Sequence, residues 1–351
     1  MKKTYKALLC GAAAVAAVGI AYAMDERFFE KAKDKLTVFK CRANSKIMEQ
    51  ALPLTDAMFP GPKVVSGADS AKKIPEVLKE LNVNKVMIVT GPTVGRTIVP
   101  PIAENLERHG IGYTIYDQVE ANPSVKTVEA IRAQYLENGC DGFLAIGGGS
   151  PMDAAKAAAA RVAKPNTPIG KMAGLMKVMI KVAPIVAVPT TSGTGSEVTM
   201  GAVISDHDER HKYAIMDPNL VPKYAVLDPK LTVSMPKFVT ATTGIDALTH
   251  AVESYVTWAY NNNASNRNAE EAVVKIFRNL KRAYEDGNDL EAREAMLIAS
   301  YKAGLAFNHT GVGYVHAIAH AMGGIYNTAH GLANAVIMPI VPEDYGTAVH
   351  H

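Results

Sequence analysis

From residue 64 onward, short β-branched and aromatic runs alternate with amphipathic helical stretches. This alternation narrows the possible folds more than any other feature of the chain. The candidate strands include Val86-Met87-Ile88-Val89-Thr90, Tyr113-Thr114-Ile115-Tyr116, Phe143-Leu144-Ala145-Ile146 and Ile185-Val186-Ala187-Val188. Repeated β-α-β units predict an α/β domain: a parallel sheet with helices on both faces, which binds ligands beyond the carboxyl ends of its strands. After Asp228-Pro229 the β-runs stop and helical periodicity continues to the end, which predicts an α/β domain over 63–230 and an all-helical domain over 231–351. A chain of 351 residues exceeds the size at which a single core stops growing, so two lobes with a cleft are expected. Residues 258–268 are polar and read as a loop, and 269–286 read as an exposed amphipathic helix.

Two loops follow strands at positions where ligands bind. Gly147, Gly148, Gly149 and Ser150, with Pro151 and Asp153 behind them, leave a strand and open an Ala-rich helix. Pro151 suits a first helical turn, and the glycines let backbone N–H groups approach a pyrophosphate; a plain tight β-to-α turn has the same composition. This is not G-x-G-x-x-G, so the ordinary dinucleotide fingerprint is absent. Thr190, Thr191, Ser192, Gly193, Thr194, Gly195 and Ser196 follow another strand, offering many hydroxyl donors and little bulk. They fit either the ribose and amide groups of a cofactor or a Ser/Thr-rich turn. Lys212 reads as a ribose or phosphate contact or as a solvated side chain.

The stretch 244–331 concentrates metal-ligating residue types. Asp246 and His250 stand at i and i+4, which on a helix places a carboxylate and an imidazole on one face, one turn apart. His316 and His320 repeat the spacing, and His330 follows after Gly323 and Gly324. Three imidazoles and a carboxylate suit a divalent transition metal such as iron or zinc, and suit calcium or magnesium poorly. Any one of these histidines alone would be an ordinary core or surface residue; the set points to a metal centre.

The remaining composition restricts partners. Charged residues are 20% of the chain, the net charge is +3 and no dense basic run follows the N-terminus, so nucleic acid is not an expected partner and a small substrate is. Cys10, Cys41 and Cys140 lack metal-type or disulfide-type spacing and fit a reducing compartment. At the N-terminus, Lys2, Lys3 and Lys6 precede a weakly apolar run over 7–24, with Ala21-Tyr22-Ala23 in the form of a signal-peptidase site. The following flank (Arg27, Lys31, Lys33, Lys35) is more basic than the preceding one, so the reading is a weak membrane anchor over 1–24 with a cytoplasmic body. Residues 25–62 read as a helical arm ending at Pro60-Gly61-Pro62.

The motifs G-G-G-S-P-x-D, P-T-T-x-G-T-G-S-E, D-A-L-T-H and V-H-x-x-A-H-x-x-G followed by H-G, in this order, resemble the iron-containing (group III) alcohol dehydrogenase family. The resemblance implies a Rossmann-like nucleotide-binding domain followed by an all-helical metal-binding domain in a dehydroquinate synthase-like arrangement, and a homodimer. It also implies Fe2+, with Zn2+ as the alternative, on Asp246, His250, His316 and His330, and His320 as the second active-site histidine. The NAD or NADP contacts implied are Asn122, Gly147, Gly148, Gly149, Ser150, Asp153, Thr190, Thr191, Thr194 and Lys212. Three departures stand out. Gly91 replaces the acid with which many NAD-preferring members hold the ribose hydroxyls, which leaves room for the NADP phosphate near Thr93 or Arg96. Ala321 and Ala329 replace common prolines. The chain also ends shortly after His330, where members continue, so a C-terminally truncated product is expected. The activity implied is hydride transfer between NAD(P)(H) and a small primary alcohol or aldehyde. A polyol such as glycerol or 1,3-propanediol is the alternative substrate, and an inactive nucleotide-binding remnant the alternative outside catalysis.

Overall fold

The computed structural model describes residues 61–206, 211–257, 261–326 and 328–345. The segment expected at 1–24 and all but the end of the arm expected at 25–62 lie outside the described residues. Nine strands are described: β1 (Lys63–Ser66), β2 (Lys85–Val89), β3 (Gly112–Tyr116), β4 (Gly142–Gly147), β5 (Gly174–Leu175), β6 (Ile185–Pro189), β7 (Gly201–Asp206), β8 (His211–Met216) and β9 (Tyr224–Leu227). Six of them form one sheet in the order β1-β9-β6-β4-β2-β3. Every pairing in it is parallel, as the β-α-β alternation predicts.

The central strands are apolar throughout because both sheet faces are covered. Successive side chains point to opposite faces, so Val86, Ile88, Leu144, Ile146, Val186 and Val188 enter one core. Met87, Val89, Phe143, Ala145 and Ala187 enter the other. Helices α1 (Ile74–Glu80), α2 (Pro92–Thr97) and α3 (Val99–Arg108) follow β1 and β2, with Ile74, Leu78, Ile102 and Leu106 closing the first core. Helices α4 (Val125–Glu137) and α5 (Gly149–Ala163) close the second. Ser124 starts α4 by accepting the N–H of Thr127. Tyr135 of α4 stacks on Phe143 with ring centroids 4.5 Å apart. Ala154, Ala155 and residues 157–160 of α5, all alanine, bury fully and bring that helix close against the sheet, which places its first turn at the end of β4.

A second sheet, β5-β8-β7, is built on an antiparallel β7–β8 pair. Sequence reading did not foresee it: β7 and β8 carry the charged Asp206 and Lys212, which dilute the β signal. Helices α6 (Lys237–Val256), α7 (Asn263–Glu285), α8 (Leu290–Thr310), α9 (Tyr314–Tyr326), α10 (His330–Ile337) and α11 (Val341–Tyr345) follow. The first three pack through Ala247, Leu248, Ile276, Ala283, Met296 and Ala299. The loop expected over 258–268 is corrected at 263–268, which are helical. Asn262 accepts the N–H groups of Ala264 and Ser265, and Ser265 accepts the N–H of Asn262. The polar run is therefore a capping box, in which short polar side chains satisfy the free donors of a helix start. Among the described residues, no helix is long and apolar enough to cross a membrane.

Candidate active site

The carboxyl ends of β2, β3, β4 and β6 deliver four loops to one edge of the sheet. A cleft of about 260 Å³ opens there, lined by Gly91, Thr93, Glu120, Gly148 and Ser150 among others. Gly147 takes φ +149°, and a Cβ on it would stand 2.7 Å from the Pro151 ring, so the turn into α5 requires glycine. Cβ atoms on Gly148 and Gly149 would meet Thr191 and Thr194 at 3.1 and 3.0 Å. The glycine and hydroxyl loops therefore lie in contact, tied also by Thr190 N–H donating to Gly147 O at 2.9 Å. Asn122, in the left-handed region at φ 59°, donates its N–H to Ser150 Oγ at 3.3 Å. Backbone this bare beside the first turn of a helix fits a pyrophosphate.

A buried charge network holds the hydroxyl loop from behind. The Asp153 carboxylate accepts Ser196 Oγ–H at 2.9 Å and the N–H of Val203 at 3.1 Å. One turn on, the Lys156 ammonium donates to the carbonyls of Ser196, Thr199 and Gly201 at 2.7, 2.8 and 2.9 Å. Burial pulls the Lys156 pKa down to about 8, against the opposing charges of Asp153 and Glu197. Burial likewise raises the Asp153 pKa. The loop itself leans on the helical region. Gly195 (φ 59°) sits so close to α8 that a Cβ would lie 2.7 Å from Gly304 Cα.

The histidine centre is assembled from three helices. α6 places Asp246 and His250 one turn apart, α9 supplies His316 and α10 begins with His330. One donor atom from each of Asp246, His250 and His316 falls within a group no more than 4.8 Å across, and all three residues are buried. His330 Nε2 is 3.4 Å and His316 Nε2 3.5 Å from the same Asp246 oxygen. His250 stacks between Phe307 and His316 at 4.2 and 4.3 Å, and the hydroxyl loop packs against the same helix: a Cβ on Gly193 would lie 2.6 Å from Thr243 of α6. The buried Nδ1 of His250 has no hydrogen-bond partner. An orphaned imidazole nitrogen beside a carboxylate and further imidazoles fits a divalent transition metal.

The charges agree with that donor set at Asp246, His250 and His330. Burial opposes ionisation of Asp246, but His250, His330 and His316 hold its pKa well below the usual carboxylate range. Burial lowers the pKa of His250 to about 3 and also lowers that of His330, which keeps both imidazoles neutral with a lone pair available. For His316, the hydrogen bonds and charges of Asp246 and Glu253 outweigh burial and raise the pKa to about 9. His320 stacks on His330 at 4.7 Å while its own residue surface stays exposed; desolvation and the neighbouring His330 and His316 lower its pKa. β8 brings Lys212 to this centre, its Nζ 3.4 Å from a Cβ position on Gly323, and not to the glycine cleft.

Sequence reasoning missed Lys156, Glu253 and Asn334. Each stands three or four residues after a residue it did select, Asp153, His250 and His330, and so on the same helical face.

The model of the iron-containing alcohol dehydrogenase family matches residues 61–229, and that of the Fe-containing alcohol dehydrogenase family C-terminal region matches 240–349. Alcohol dehydrogenase 4 of Saccharomyces cerevisiae is 37% identical over 278 residues, covering 79% of this chain and 72% of the relative. The NAD-dependent methanol dehydrogenase of Bacillus methanolicus is 37% identical over 289 residues, covering 82% and 75%. The crystal structure of a 1,3-propanediol oxidoreductase superposes with a TM-score of 0.79 at 36% identity, covering 81% of this chain and 75% of that one. The chain belongs to the iron-containing alcohol dehydrogenase family, oxidoreductases that act on small alcohols and aldehydes.

Proposed function

We propose that this chain transfers hydride between a nicotinamide dinucleotide and a small primary alcohol or aldehyde, with Asp246, His250, His316 and His330 holding a divalent iron. The observation that carries this reading is the shared support of the two half-sites: the loop whose threonines cover the glycine turn also packs through Gly193 on α6, the helix that bears Asp246 and His250. A divalent ion on these residues supplies positive charge that lowers the pKa of an adjacent alcohol and polarises an adjacent carbonyl. The nicotinamide supplies the hydride acceptor or donor.

The protein's own part is placement. The backbone at 147–150, with Asn122, seats the pyrophosphate, while Thr190, Thr191 and Thr194 orient the nicotinamide half toward the histidine centre. Asp153 acts on the cofactor through Ser196, which it holds. His320, neutral at pH 7 and exposed, accepts the alcohol proton on an imidazole nitrogen and passes it to solvent. Lys212 adds positive charge beside His320 and His330, where a ribose or substrate oxygen would lie. Gly91 offers no carboxylate to repel a 2′-phosphate, so NADP as well as NAD is accommodated. A diol is the second substrate reading, motivated by the likeness to the 1,3-propanediol oxidoreductase, and a panel of alcohols and diols separates the two. The family resemblance also carries the inference of a homodimer, checked by sedimentation, and the basic flanks of the apolar run over 7–24 carry that of a cytoplasmic body tethered to the membrane, checked by membrane fractionation.

His316→Ala removes a donor atom at the centre and touches nothing in the glycine cleft. The expected result is loss of bound iron and of turnover, with NAD(H) affinity within about twofold of the parent chain, since the altered contact lies outside the cofactor seat. Normal turnover in this variant would refute the assignment.

A further inference from the structure

Two side chains outside the ligand set grip it from separate helices. Glu253 lies on α6, three residues past His250, and is buried. Its Oε2 meets Nδ1 of His316 at 2.5 Å, and its Oε1 accepts the N–H of Val315 at 2.7 Å. The chain entering α9 passes tightly over this carboxylate: a Cβ on Gly313 would stand 2.7 Å from Oε1. Asn334, one turn past His330 on α10, is fully buried and donates Nδ2–H to Asp246 Oδ1 at 2.7 Å. The same amide nitrogen stands 3.3 Å from His316 Nε2 and 3.4 Å from His330 Nε2. A single amide thus faces three of the four ligand side chains.

We propose that Glu253 and Asn334 are positioning residues for the metal ligands, Glu253 holding His316 with Nε2 turned inward and Asn334 holding the Asp246 carboxylate against the histidines. The proposal rests on the metal-centre reading above. An imidazole that offers the Nε2 lone pair must keep its proton on Nδ1, and Glu253 Oε2 is the acceptor that keeps it there. A carboxylate serves both of its donors because each oxygen takes one. Glutamine has nearly the same shape but a single acceptor oxygen. If that oxygen stays with the Val315 N–H, the amide NH2 faces Nδ1, Nδ1 must accept, and the proton moves to Nε2. Glu253→Gln therefore preserves packing while disabling His316 as a ligand. Asn334→Ala removes the hydrogen bond that holds Asp246 Oδ1 from outside the histidines.

The test is a Zn2+ titration of the metal-stripped full chain against a chromogenic chelator, comparing the parent, His316→Ala, Glu253→Gln and Asn334→Ala. NAD+ binding and cooperative thermal unfolding serve as checks on the fold. Glu253→Gln is expected to weaken Zn2+ binding roughly 10–100-fold, and Asn334→Ala by about tenfold, with NAD+ affinity unchanged. A residue that merely filled space would leave the near-isosteric glutamine variant with parental affinity, and that result would overturn the role of Glu253. Should the glutamine variant not fold, parental Zn2+ affinity in Asn334→Ala overturns the proposal. A parent chain that binds Zn2+ no better than His316→Ala would instead refute the metal-centre reading itself.

Discussion

Lys156→Met asks how much of the threonine loop's order comes from one buried ammonium. The Nζ donates to three backbone carbonyls at 2.7 to 2.9 Å and lies 3.0 and 3.4 Å from the Ser196 and Thr199 hydroxyls. Methionine fills much of the same volume but donates to none of them. Hydrogen bonds to a charged group contribute about 1.5–3 kcal/mol each, so three lost bonds cost roughly 5–9 kcal/mol. Burying the charge has its own cost: a pKa moved from 10.5 to about 8 corresponds to on the order of 3 kcal/mol against the ammonium, which methionine recovers. The net expectation is a destabilisation of roughly 2–6 kcal/mol. Because the freed carbonyls belong to the segment joining the threonine loop to β7, cofactor binding should weaken as well. Urea unfolding of the metal-stripped chain followed by circular dichroism gives the first quantity, and titration with NADH followed by fluorescence gives the second. Parental stability together with parental NADH affinity would refute the view that this ammonium organises the loop.

Other perturbations separate the remaining contributions. Gly195→Ala forces a side chain into the left-handed region at φ 59° and against Gly304 Cα, at about 1–2 kcal/mol for the backbone and roughly 1–3 kcal/mol for overpacking; an unchanged urea midpoint would contradict the tight packing of that loop on α8. Gly91→Asp places a carboxylate at the end of β2, and the ratio of kcat/KM for NAD over NADP should rise by about tenfold, the equivalent of one unfavourable phosphate contact of roughly 1.4 kcal/mol; no change would remove Gly91 from cofactor selection. Glu197 is buried with Oε1 unpartnered, and burial raises its pKa to about 7, against its backbone hydrogen bond and the Lys156 charge. The folded chain thus holds this proton more tightly than the unfolded chain, whose carboxyl titrates near 4.5, so stability falls as pH rises from about 4.5 to about 7 and is level above that. Glu197→Gln should flatten this slope, and parallel stability curves for the two chains across the window would exclude Glu197 as its source.

Much of this protein was legible before any coordinates. Strand composition alone located β2, β3, β4 and β6 to within a residue or two: β2, β4 and β6 are covered on both faces and nearly apolar throughout, and the edge strand β3 is rich in β-branched and aromatic residues. The i, i+4 spacing of Asp246 and His250 fixed a shared helical face, and the motif order named the family. Local rules failed where the partner is distant or the signal ambiguous. The run at 263–268 is polar like a loop, yet Asn262 and Ser265 turn it into a helix start. Glu253 and His316 are 63 residues apart and Asp246 and Asn334 are 88 apart, and no periodicity encodes either contact. Sequence determines which face of a helix carries a side chain, because that depends on backbone geometry within one or two turns. Which faces meet is decided by the joint burial of α6, α9 and α10, and only that packing converts separate histidines, a carboxylate and their second line of hydrogen bonds into one centre.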